Sequence, residues 1–565
     1  MKKTKKILSF VDSQNDCGAA LFSDDELVCA VNEERIVRQK LVGGFPTKSI
    51  NEALRNESIN RKEIEKIVVG GILTPPWFAR KFRKLQRIEY GVRKKNQNRL
   101  KNKLSDIAQF KLFIHVTNPD SFYGKIQQKF VRNILKKDLP KELKEKEIAL
   151  VDHHYAHAAS AYYTQDKTEV LAVTADGCGD SLSMTINACE HDKIRVLHKE
   201  KAINSYGWFY GLVTLFLGFQ WHKHEGKVTG LAAYGNSKNI KAEFPFKISN
   251  NKIIYSKKWG ENGLKYLRKE LQGYKKEDVA AWLQENTEKH ITQIVQYWVC
   301  KTKIYDVVLA GGLFANVKLN QKIHEIPEVK SVYIFPHMGD GGLAVGAGLA
   351  YLKPTPKPLK TVYLGRGYSD AEIKKALDKS GLKYKKYEHI EKEIAKKLAE
   401  GKVIARFNGQ MEYGPRALGN RSILYQTNDP TVNDWLNKKL KRTEFMPFAP
   451  ATIWEKRHEY YKGLKGAENA ARYMTITFNC TKKMKEQSPG CVHVDGTARP
   501  QLVKKEDNKS FYKIINEYCK ITGTPSIINT SFNMHEEPIV MTPEDAIRAY
   551  KQSKLDSLAI GDYLA

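Results

Sequence analysis

The sequence lacks any long hydrophobic run. Only 41% of its 565 residues are hydrophobic, and the best apolar stretch, residues 307–315, is short and holds two glycines. A membrane-spanning helix needs roughly 18 or more consecutive apolar residues. A transmembrane role is therefore excluded. The length predicts a globular chain of two to four domains, at roughly 100 to 200 residues each.

Cysteine is sparse and unpatterned. The eight cysteines are scattered along the chain, and none forms a CxxC pair. This spacing excludes a zinc ribbon and also a secreted disulfide framework. We therefore expect free thiols and a reducing, cytoplasmic setting.

Acidic residues are too few to balance the basic ones. Against 94 lysines and arginines stand 63 aspartates and glutamates, so the net charge is +31. Such a charge attracts polyanions, either nucleic acid or an acidic membrane surface. The alternative is that lysine fills the solvated faces without any polyanionic partner.

Basic residues cluster in a predicted helical tract at residues 80–103. Aromatic residues lie within and around it, which favours contact with a nucleic-acid backbone combined with base stacking. The alternative is a basic face above a few core aromatics. The basic members are Arg80, Lys81, Arg83, Lys84, Arg87, Arg93, Lys94, Lys95, Arg99, Lys101 and Lys103, and the aromatic ones are Trp77, Phe78, Phe82, Tyr90 and Phe110.

Two strand-rich segments predict a duplicated α/β lobe. Short apolar runs separated by polar turns open the chain at residues 6–35, and the pattern returns at residues 169–186. Buried strands are also predicted at residues 306–310 and 331–335. Each of these strands runs into a glycine-rich turn and then a helix, as in nucleotide-binding α/β proteins.

A proline-rich segment predicts the domain boundary. Residues 353–360 read KPTPKPLK, and proline opposes both helix and central-strand pairing. We expect a first domain at residues 1–352, with a basic helical insertion at about 77–145. A second α/β domain is predicted at residues 361–565.

Histidine and aspartate form a candidate metal site. His153 and His157 are spaced i, i+4, which places both imidazoles on one face of a helix. Asp176 and Asp340 each lie where a predicted strand meets a glycine-containing loop, at the sheet edge where ligands gather in α/β folds. Two histidines with two aspartates suit a divalent metal such as iron, manganese or zinc. The alternative for the histidine pair alone is a solvated helix face.

Glycine and arginine turns form candidate anion sites. Gly311 and Gly312 follow a strand, where glycine lets the backbone approach a phosphate or ribose, although paired glycines also serve plain turns. Further along, arginines on turns with serine and asparagine nearby could clamp a phosphate or carboxylate. A single such arginine is usually a surface ion pair. The turns include Tyr413 to Ser422, Lys441 and Arg442, Arg499 to Gln501, and Asn529 to Asn533.

Taken in this order, the motifs resemble the NodU/CmcH family of O-carbamoyltransferases over essentially the whole chain. The joint pattern is far more specific than any single motif. The matching motifs are EER at residues 33–35, HHxAHAASAYY from His153, ADG around Asp176, EGKxxGLAxYG from Glu225, GGLFAN from Gly311, GDGG around Asp340, GPRALGxRSI from Gly414, PFAP from Pro447 and NTSFN from Asn529.

The resemblance implies a fold and a chemistry. The family fold is a duplicated actin-like N-terminal domain followed by a YrdC-like C-terminal domain. The C-terminal domain would use carbamoyl phosphate and ATP with Mg²⁺ to form carbamoyladenylate and pyrophosphate. The N-terminal domain, with iron as the expected metal, would move the carbamoyl group to a hydroxyl. A homodimer is left open.

The same resemblance assigns roles to individual residues. The expected metal ligands are His153, His157, Asp176 and Asp340. The adenylate would be held by Lys40, Gly311, Gly312 and Asn316, and the donor site would consist of Arg416, Lys441, Arg442, Arg499 and Ser531.

Three positions depart from the family pattern. The family usually reads His-Asp in the first meander, whereas this chain has Asn15 and Asp16. Because asparagine cannot take a proton, either Asp16, another histidine such as His222 or His224, or a metal-bound group takes over, or transfer has been lost. The other two departures are Met446, where many members have arginine before PFAP, and Glu536, which replaces a usual glycine after NTSFN.

The identity of the acceptor separates the remaining hypotheses. The net charge favours a hydroxymethylated pyrimidine in DNA, contacted through the basic tract at residues 80–103. One alternative is a small hydroxylated metabolite or sugar. The other is a degenerate homologue that binds without catalysis, supported only by Asn15.

Overall fold

The structure is a computed structural model, and it describes residues 4–82, 118–255, 263–440 and 446–565. The chain divides into two compact units. The first unit consists of Met1–Glu33 and Leu41–Leu359, and the second of Glu34–Lys40 and Lys360–Ala565. Both units are α/β, which confirms the predicted fold class. The predicted linker at residues 353–360 remains a prediction as a domain boundary.

Two sheets of the first unit share one topology. The strand orders are β3-β2-β1-β4-β5 and β8-β7-β6-β11-β12. In both sheets, three antiparallel strands of a meander are followed by two strands parallel to the first one. This repeated order is the predicted duplication. The strands are β1 Lys6–Val11, β2 Gly18–Ser23, β3 Glu26–Asn32, β4 Ile64–Gly70, β5 Glu147–Val151, β6 Glu169–Gly179, β7 Leu182–Glu190, β8 Lys193–Lys201, β9 Phe246–Ser249, β10 Lys252–Tyr255, β11 Asp306–Ala310 and β12 Ser331–Ile334.

Helices cover these sheets. The segment that passes from the first unit into the second begins with α1 Glu33–Val37. The remaining helices described in the first unit are α2 Thr47–Asn56, α3 Trp77–Lys81, α4 Phe122–Asp138, α5 His153–Tyr162, α6 Tyr206–Phe216, α7 Glu225–Leu231, α8 Gly263–Leu271, α9 Lys276–Thr302, α10 Val317–His324 and α11 Leu343–Leu352. Among the described helices, none combines the length and the apolar character needed to cross a bilayer.

Helix α11 lies at the centre of the first unit. All of its residues from Leu343 to Ala350 are buried, and a helix that is apolar on every side belongs inside a core. It packs against α5, and Gly346 allows the close approach, since a Cβ there would lie 2.1 Å from the carbonyl oxygen of Ala156. The position of α5, which carries the candidate histidines, is therefore fixed by backbone contact.

The second unit is built on a mixed eight-stranded sheet. Its strand order is β13-β22-β21-β14-β15-β20-β16-β19. Its strands are β13 Lys385–Lys386, β14 Ile404–Phe407, β15 Arg421–Gln426, β16 Ala449–Ile453, β17 Phe478–Asn479, β18 Thr497–Ala498, β19 Gln501–Val503, β20 Ser526–Ser531, β21 Ser557–Ile560 and β22 Tyr563–Leu564. Its helices are α12 Asp370–Ser380, α13 Ile390–Ala399, α14 Val432–Lys439, α15 Arg457–Tyr460, α16 Glu468–Ala471, α17 Lys482–Gln487, α18 Lys509–Thr522 and α19 Pro543–Ser553.

The core of the second unit lies under two of these helices. Ile394 and Leu398 of α13 pack with Phe511 and Ile514 of α18, and all four are fully buried. The apolar positions recur at helical spacing, so each helix presents one stripe to the sheet.

One member of the predicted basic tract belongs to the core. Arg80 is 1% exposed, and its Nη2 lies 2.9 Å from Oδ1 of Asp12, which is equally buried. Its remaining donors reach the carbonyl oxygens of Gly71 and Ile72. The expectation that Arg80 contacts a polyanion is therefore wrong, because its charge is already neutralised. Residues 83–103 of the tract lie outside the described part of the chain.

We predict that Arg80→Leu destabilises the first unit by about 3 to 5 kcal/mol, because it leaves the carboxylate of Asp12 buried without its counter-charge. Lys81→Leu is the control, since Lys81 is exposed and should change stability by less than about 0.5 kcal/mol. Urea unfolding followed by tryptophan fluorescence measures both. Equal stability of the two variants would contradict a stabilising role for the ion pair.

Candidate functional site

Helix α5 presents two of its three histidines to a common point. The carboxylate of Asp152 caps the helix by accepting from the backbone N–H of Tyr155. His153 and His157 are buried, with ring centroids 4.8 Å apart. His154 points elsewhere, with Nδ1 2.8 Å from Oγ1 of Thr174. Burial, together with the neighbouring imidazoles, lowers the pKa of His154 to about 3, so this histidine is a neutral structural residue.

Two carboxylates complete the cluster. Oδ2 of Asp176, on β6, lies 3.1 Å from Nε2 of His157 and 3.5 Å from Nε2 of His153. Oδ1 of Asp340, at the start of a helical turn, lies 3.7 Å from Nε2 of His153. The four ligand atoms all lie within 4.8 Å of one another. The structure thus brings together all four residues of the predicted metal set.

Backbone contacts hold this arrangement in place. The carboxylate of Asp180 accepts from the N–H groups of His153, Ile72 and Leu73 at 2.7 to 2.9 Å. Gly179 leaves the room that the His153 ring needs, since a Cβ there would lie 2.0 Å from its Cδ2. A larger residue at position 179 would displace the imidazole.

The electrostatics of the cluster favour a cation. Burial by itself lowers the pKa of His153, but the nearby carboxylates of Asp176 and Asp340 raise it to about 9. Burial lowers the pKa of His157. The pKa of Asp176 is held well below its usual range, because the two imidazoles outweigh the effect of its burial.

The donor set fits a divalent metal. Two imidazole nitrogens and two carboxylate oxygens are the ligands of borderline cations such as iron, manganese or zinc. Nε2 of His153 is buried and makes no hydrogen bond to any described residue, although two carboxylates lie close to it. A metal cation bound between Nε2 of His153 and the two carboxylates would give this nitrogen the partner that the carboxylates do not.

The paired glycines lie beside Asp176. Gly311 has φ 109°, and a Cβ there would lie 2.2 Å from the carbonyl oxygen of Ala175. The N–H of Gly312 donates to Oδ2 of Asp176 at 3.2 Å. The side chain of Asn316 caps α10 and exchanges hydrogen bonds with Gln284 at 2.8 and 3.1 Å. The predicted adenylate role of these residues remains a prediction.

The first meander turn brings a further polar group to the same unit. Asn15 and Asp16 are half-buried, and Oδ1 of Asp16 accepts from Nδ2 of Asn32 at 3.0 Å. Nε2 of His337 lies 3.5 Å from Oδ2 of Asp16. Sequence reasoning missed Asn32 and His337. Their signal was present, because His337 precedes Asp340 by three residues and Asn32 directly precedes the EER motif.

The other histidines proposed for this role have different neighbours. The ring of His222 stacks on Trp221 at 5.0 Å, and Trp221 meets Trp208 edge to face at 5.1 Å. Nδ1 of His224 accepts from the N–H of Gln220 at 3.1 Å.

In the second unit, a buried glutamate shapes the first arginine turn. Oε1 of Glu412 accepts from the N–H groups of Leu418, Asn420 and Arg421 at 2.8 to 3.0 Å. Arg35 of the EER motif lies in the same unit and donates to the carbonyl oxygen of Gly414 at 2.6 Å. Two motifs far apart in sequence therefore fix one loop.

The arginines of this loop differ in their surroundings. Arg421 is fully buried, stacks on Phe407 at 3.7 Å and donates to backbone carbonyls, so it is structural. Arg416 on this loop and Arg499 on another turn are only half-buried. These two remain the described arginine candidates for the donor site.

The remaining donor-site candidates lie at the end of β20 or outside the described chain. Oγ of Ser531 donates to Oδ1 of Asn533 at 2.7 Å. Lys40 is half-buried in the segment Glu34–Lys40 of the second unit. Glu536 has φ 63°, a conformation that glycine adopts readily and that accounts for glycine at this position in the family pattern. Lys441 and Arg442 lie outside the described residues.

The first α/β unit thus holds a histidine–aspartate cluster, and the second holds the arginine turns. Residues 6–349 match the family described as carbamoyltransferase N-terminus, and residues 395–565 match carbamoyltransferase C-terminus. The chain belongs to the carbamoyltransferase family and is a carbamoyltransferase. The predicted family is thereby confirmed.

Relatives are found in archaea and bacteria. MJ1058 of Methanocaldococcus jannaschii, described as uncharacterized, is 35% identical over 488 residues, covering 78% of this chain and 77% of its own. MJ1051 of the same organism, also uncharacterized, is 30% identical and covers 99% of both chains. The nodulation protein NolNO of Sinorhizobium fredii is 28% identical, covering 97% of this chain and 78% of its own.

Similarity to solved structures is remote. Component A of (R)-2-hydroxyglutaryl-CoA dehydratase from Acidaminococcus fermentans covers 61% of this chain and 96% of its own, at 13% identity and a TM-score of 0.33. HypF from T. kodakarensis covers 62% of this chain and 48% of its own, at 11% identity and a TM-score of 0.34. Scores this low describe only a loose likeness of fold.

We predict that the purified protein binds about one divalent metal ion per chain and that His157→Ala loses most of it, because one of four ligands is removed. His191→Ala is the matched control, since the side chain of His191 is 81% exposed and is not one of the four clustered residues. Elemental analysis after removal of loosely bound metal measures both variants. Full occupancy in the double variant of His153 and His157 would contradict the assignment.

Proposed function

We propose that the enzyme is an ATP-dependent O-carbamoyltransferase that works through carbamoyladenylate. In the donor half-reaction, water cleaves carbamoyl phosphate to carbamate and inorganic phosphate, and an oxygen of the carbamate then displaces pyrophosphate from the α-phosphorus of ATP. In the transfer half-reaction, an acceptor hydroxyl attacks the carbamoyl carbon and AMP leaves. The observation that carries the proposal is the convergence of His153, His157, Asp176 and Asp340 in one unit of a carbamoyltransferase.

The donor half needs positive charge where phosphate charge develops. Arg416 and Arg499 are half-buried on turns of the second unit, and Ser531 offers a hydroxyl at the end of β20. The loop around Arg416 is pre-shaped by Glu412 and Arg35, so little reorganisation is needed to bind the phosphates. We assign Lys441 and Arg442 to the same site on the resemblance alone.

The transfer half needs an activated carbonyl and a nucleotide held against it. A divalent cation held by the four-residue cluster would supply Lewis acidity to the carbamoyl carbonyl. The Gly311–Gly312 turn lies against Asp176 and gives the adenylate an approach to bare backbone. Lys40 is assigned to adenylate binding on the family resemblance alone. ATP enters with Mg²⁺ in the donor half.

We predict that the enzyme releases pyrophosphate from ATP when carbamoyl phosphate is present, without any acceptor. Arg499→Ala should slow this release about 10- to 150-fold, because charge-assisted hydrogen bonds to phosphate contribute roughly 1.5 to 3 kcal/mol. Arg457→Ala is the control, since Arg457 stacks on Trp454 at 4.2 Å, outside the arginine motifs. Pyrophosphate release by Arg499→Ala at the wild-type rate would remove this residue from the site.

We propose a hydroxymethylated pyrimidine in DNA as the acceptor. Support comes from helix α4, whose side chains Phe122, Tyr123 and Phe130 are 82%, 61% and 54% exposed. Lys125 and Lys129 are exposed on the same helix. Exposed aromatic rings beside basic residues give a stacking surface combined with phosphate contact, as single-stranded nucleic-acid binding requires. Small hydroxylated metabolites or sugars are the alternative acceptors, and a degenerate binding homologue is the alternative without catalysis.

We predict that the logarithm of the binding constant for hydroxymethylcytosine-containing DNA falls linearly with the logarithm of the salt concentration. The slope should be about −0.9 per neutralised phosphate on duplex DNA. Reversing Lys125 and Lys129 to glutamate should weaken binding at every DNA sequence and leave pyrophosphate release unchanged. Reversing Lys374 and Lys379 on α12 is the charge-matched control.

The identity of the acceptor is tested by the mass that a candidate acceptor gains when it is carbamoylated. A base in a duplex must be flipped out before its hydroxymethyl group can enter a cleft, at a cost of a few kcal/mol, so single-stranded DNA should react faster than duplex DNA. Mass spectrometry compares this DNA with hydroxymethylcytidine and an aminoglycoside. Carbamoylation of the small molecules only would overturn the DNA proposal.

A further inference from the structure

A polar cluster joins the first meander to the loop that carries Asp340. Asp16 lies on the turn after β1, Asn32 ends β3, and His337 lies on the loop after β12. Nδ2 of Asn32 donates to Oδ1 of Asp16 at 3.0 Å, and Oδ1 of Asn32 lies 3.0 Å from Nε2 of His337. Asn32 and His337 are buried. The cluster is thus a network of three side chains from three segments.

The chemistry of the three groups fixes where the protons are. An ionised carboxylate only accepts hydrogen bonds, so the amide group of Asn32 must turn its NH₂ toward Asp16. Its oxygen then faces His337 and can only accept. Nε2 of His337 must therefore carry a proton, and the imidazole cannot take another proton at that atom. Asp16 and His337 are the two titratable side chains of the network. With Nε2 of His337 already protonated, only the carboxylate of Asp16 can accept a proton there.

The cluster also lies beside the candidate metal centre. A Cβ on Gly341 would lie 2.4 Å from Oδ2 of Asp16 and 2.3 Å from Nε2 of His337. Gly341 directly follows Asp340, whose carboxylate belongs to the metal set. The side chain of Asp16 is 14% exposed, against 4% for His337. Asp16 is therefore the member of the network that an acceptor can reach.

We propose that Asp16 is the general base of the transfer half-reaction and that Asn32 and His337 are its positioning residues. This rests on the proposed function. The acceptor oxygen bonds to the carbamoyl carbon, the bond from that carbon to the AMP oxygen breaks, and AMP leaves with the electron pair. The hydroxyl proton passes to Oδ2 of Asp16 and from there to solvent. With Asp16 as the base, the mechanism does not need Asn15, whose side chain cannot take a proton.

Asp16→Asn is the primary test. Asp16 has φ 57°, and asparagine is one of the few residues that tolerate this conformation, so the variant keeps both shape and backbone. Transfer should fall about 100- to 10,000-fold, the usual contribution of a general base, while pyrophosphate release stays within twofold of wild type. Asp24→Asn is the matched control, because Asp24 has φ 55° and is exposed.

The positioning role has its own readout. His337→Leu should lower the kcat of transfer about 10- to 100-fold with little change in KM for the acceptor, because a misplaced base costs rate and not binding. His337→Gln places an amide donor near the position of Nε2 and should restore most of that loss. A purely structural role would predict no difference between the two variants once both fold.

The assay uses [¹⁴C]carbamoyl phosphate and ATP with three acceptors, namely hydroxymethylcytosine-containing DNA, hydroxymethylcytidine and an aminoglycoside. Label transfer by Asp16→Asn within threefold of wild type would overturn the assignment of the base. If Asp16→Asn does not fold, Asn32→Leu tests the same network, and unchanged transfer by that variant would also overturn it. Absence of pyrophosphate release by the wild-type enzyme would overturn the proposed function instead.

Discussion

The arrangement of the first unit depends on the carboxylate of Asp176, which lies between two buried imidazoles and beside a second carboxylate. Anionic oxygens in such a site must be compensated by positive charge or N–H donors, since a lone buried charge costs several kcal/mol. Asp176 receives the N–H groups of Gly177 and Gly312 and faces His153 and His157. Glycine at positions 179, 311 and 346 allows three of the close approaches around this cluster. Gly179 admits the ring of His153, whereas Gly311 and Gly312 bring bare backbone to the place proposed for the adenylate.

The second unit holds arginine side chains in place of the histidine–aspartate cluster of the first unit. Its arginine turn is organised by a single buried carboxylate, Glu412, which accepts three backbone N–H groups, and by Arg35 from a distant motif. Arg421 is part of the motif, but its guanidinium donates hydrogen bonds to backbone carbonyls. Burial is the main cause that lowers its pKa to about 10. The motif therefore combines a structural arginine with a more accessible one, Arg416. Substitution of Arg421 would disturb the loop itself, whereas substitution of Arg416 would test its proposed place in the donor site.

Sequence patterns predicted the two meanders, the strands at residues 306–310 and 331–335 and the four residues of the candidate metal set, because these follow from short-range periodicity and from residue types at strand ends. The predicted strand Asp306–Ala310 and the helix from His153 have these bounds in the structure. Long-range partners were not accessible in this way. Arg80 looked like part of a charged surface until its pairing with Asp12, 68 residues away, placed it in the core. His337 and Asn32 were missed for the same reason, since their pairing spans 305 residues.

Net charge is a weaker argument for a polyanionic acceptor than it first appears from composition. Arg80 is neutralised by Asp12, and Arg406 and Arg421 are buried, so none of these positive charges acts on a ligand at the surface. What a phosphate backbone can sense is the exposed charge within about a Debye length of roughly 8 to 10 Å. The exposed lysines of α4 satisfy that condition, and the aromatic rings beside them add an attraction that salt does not screen. A lysine-rich composition alone would supply only the electrostatic attraction, which salt screens. Exposed lysines beside exposed aromatic rings, and not the net charge of +31, therefore distinguish a nucleic-acid surface from a merely lysine-rich one.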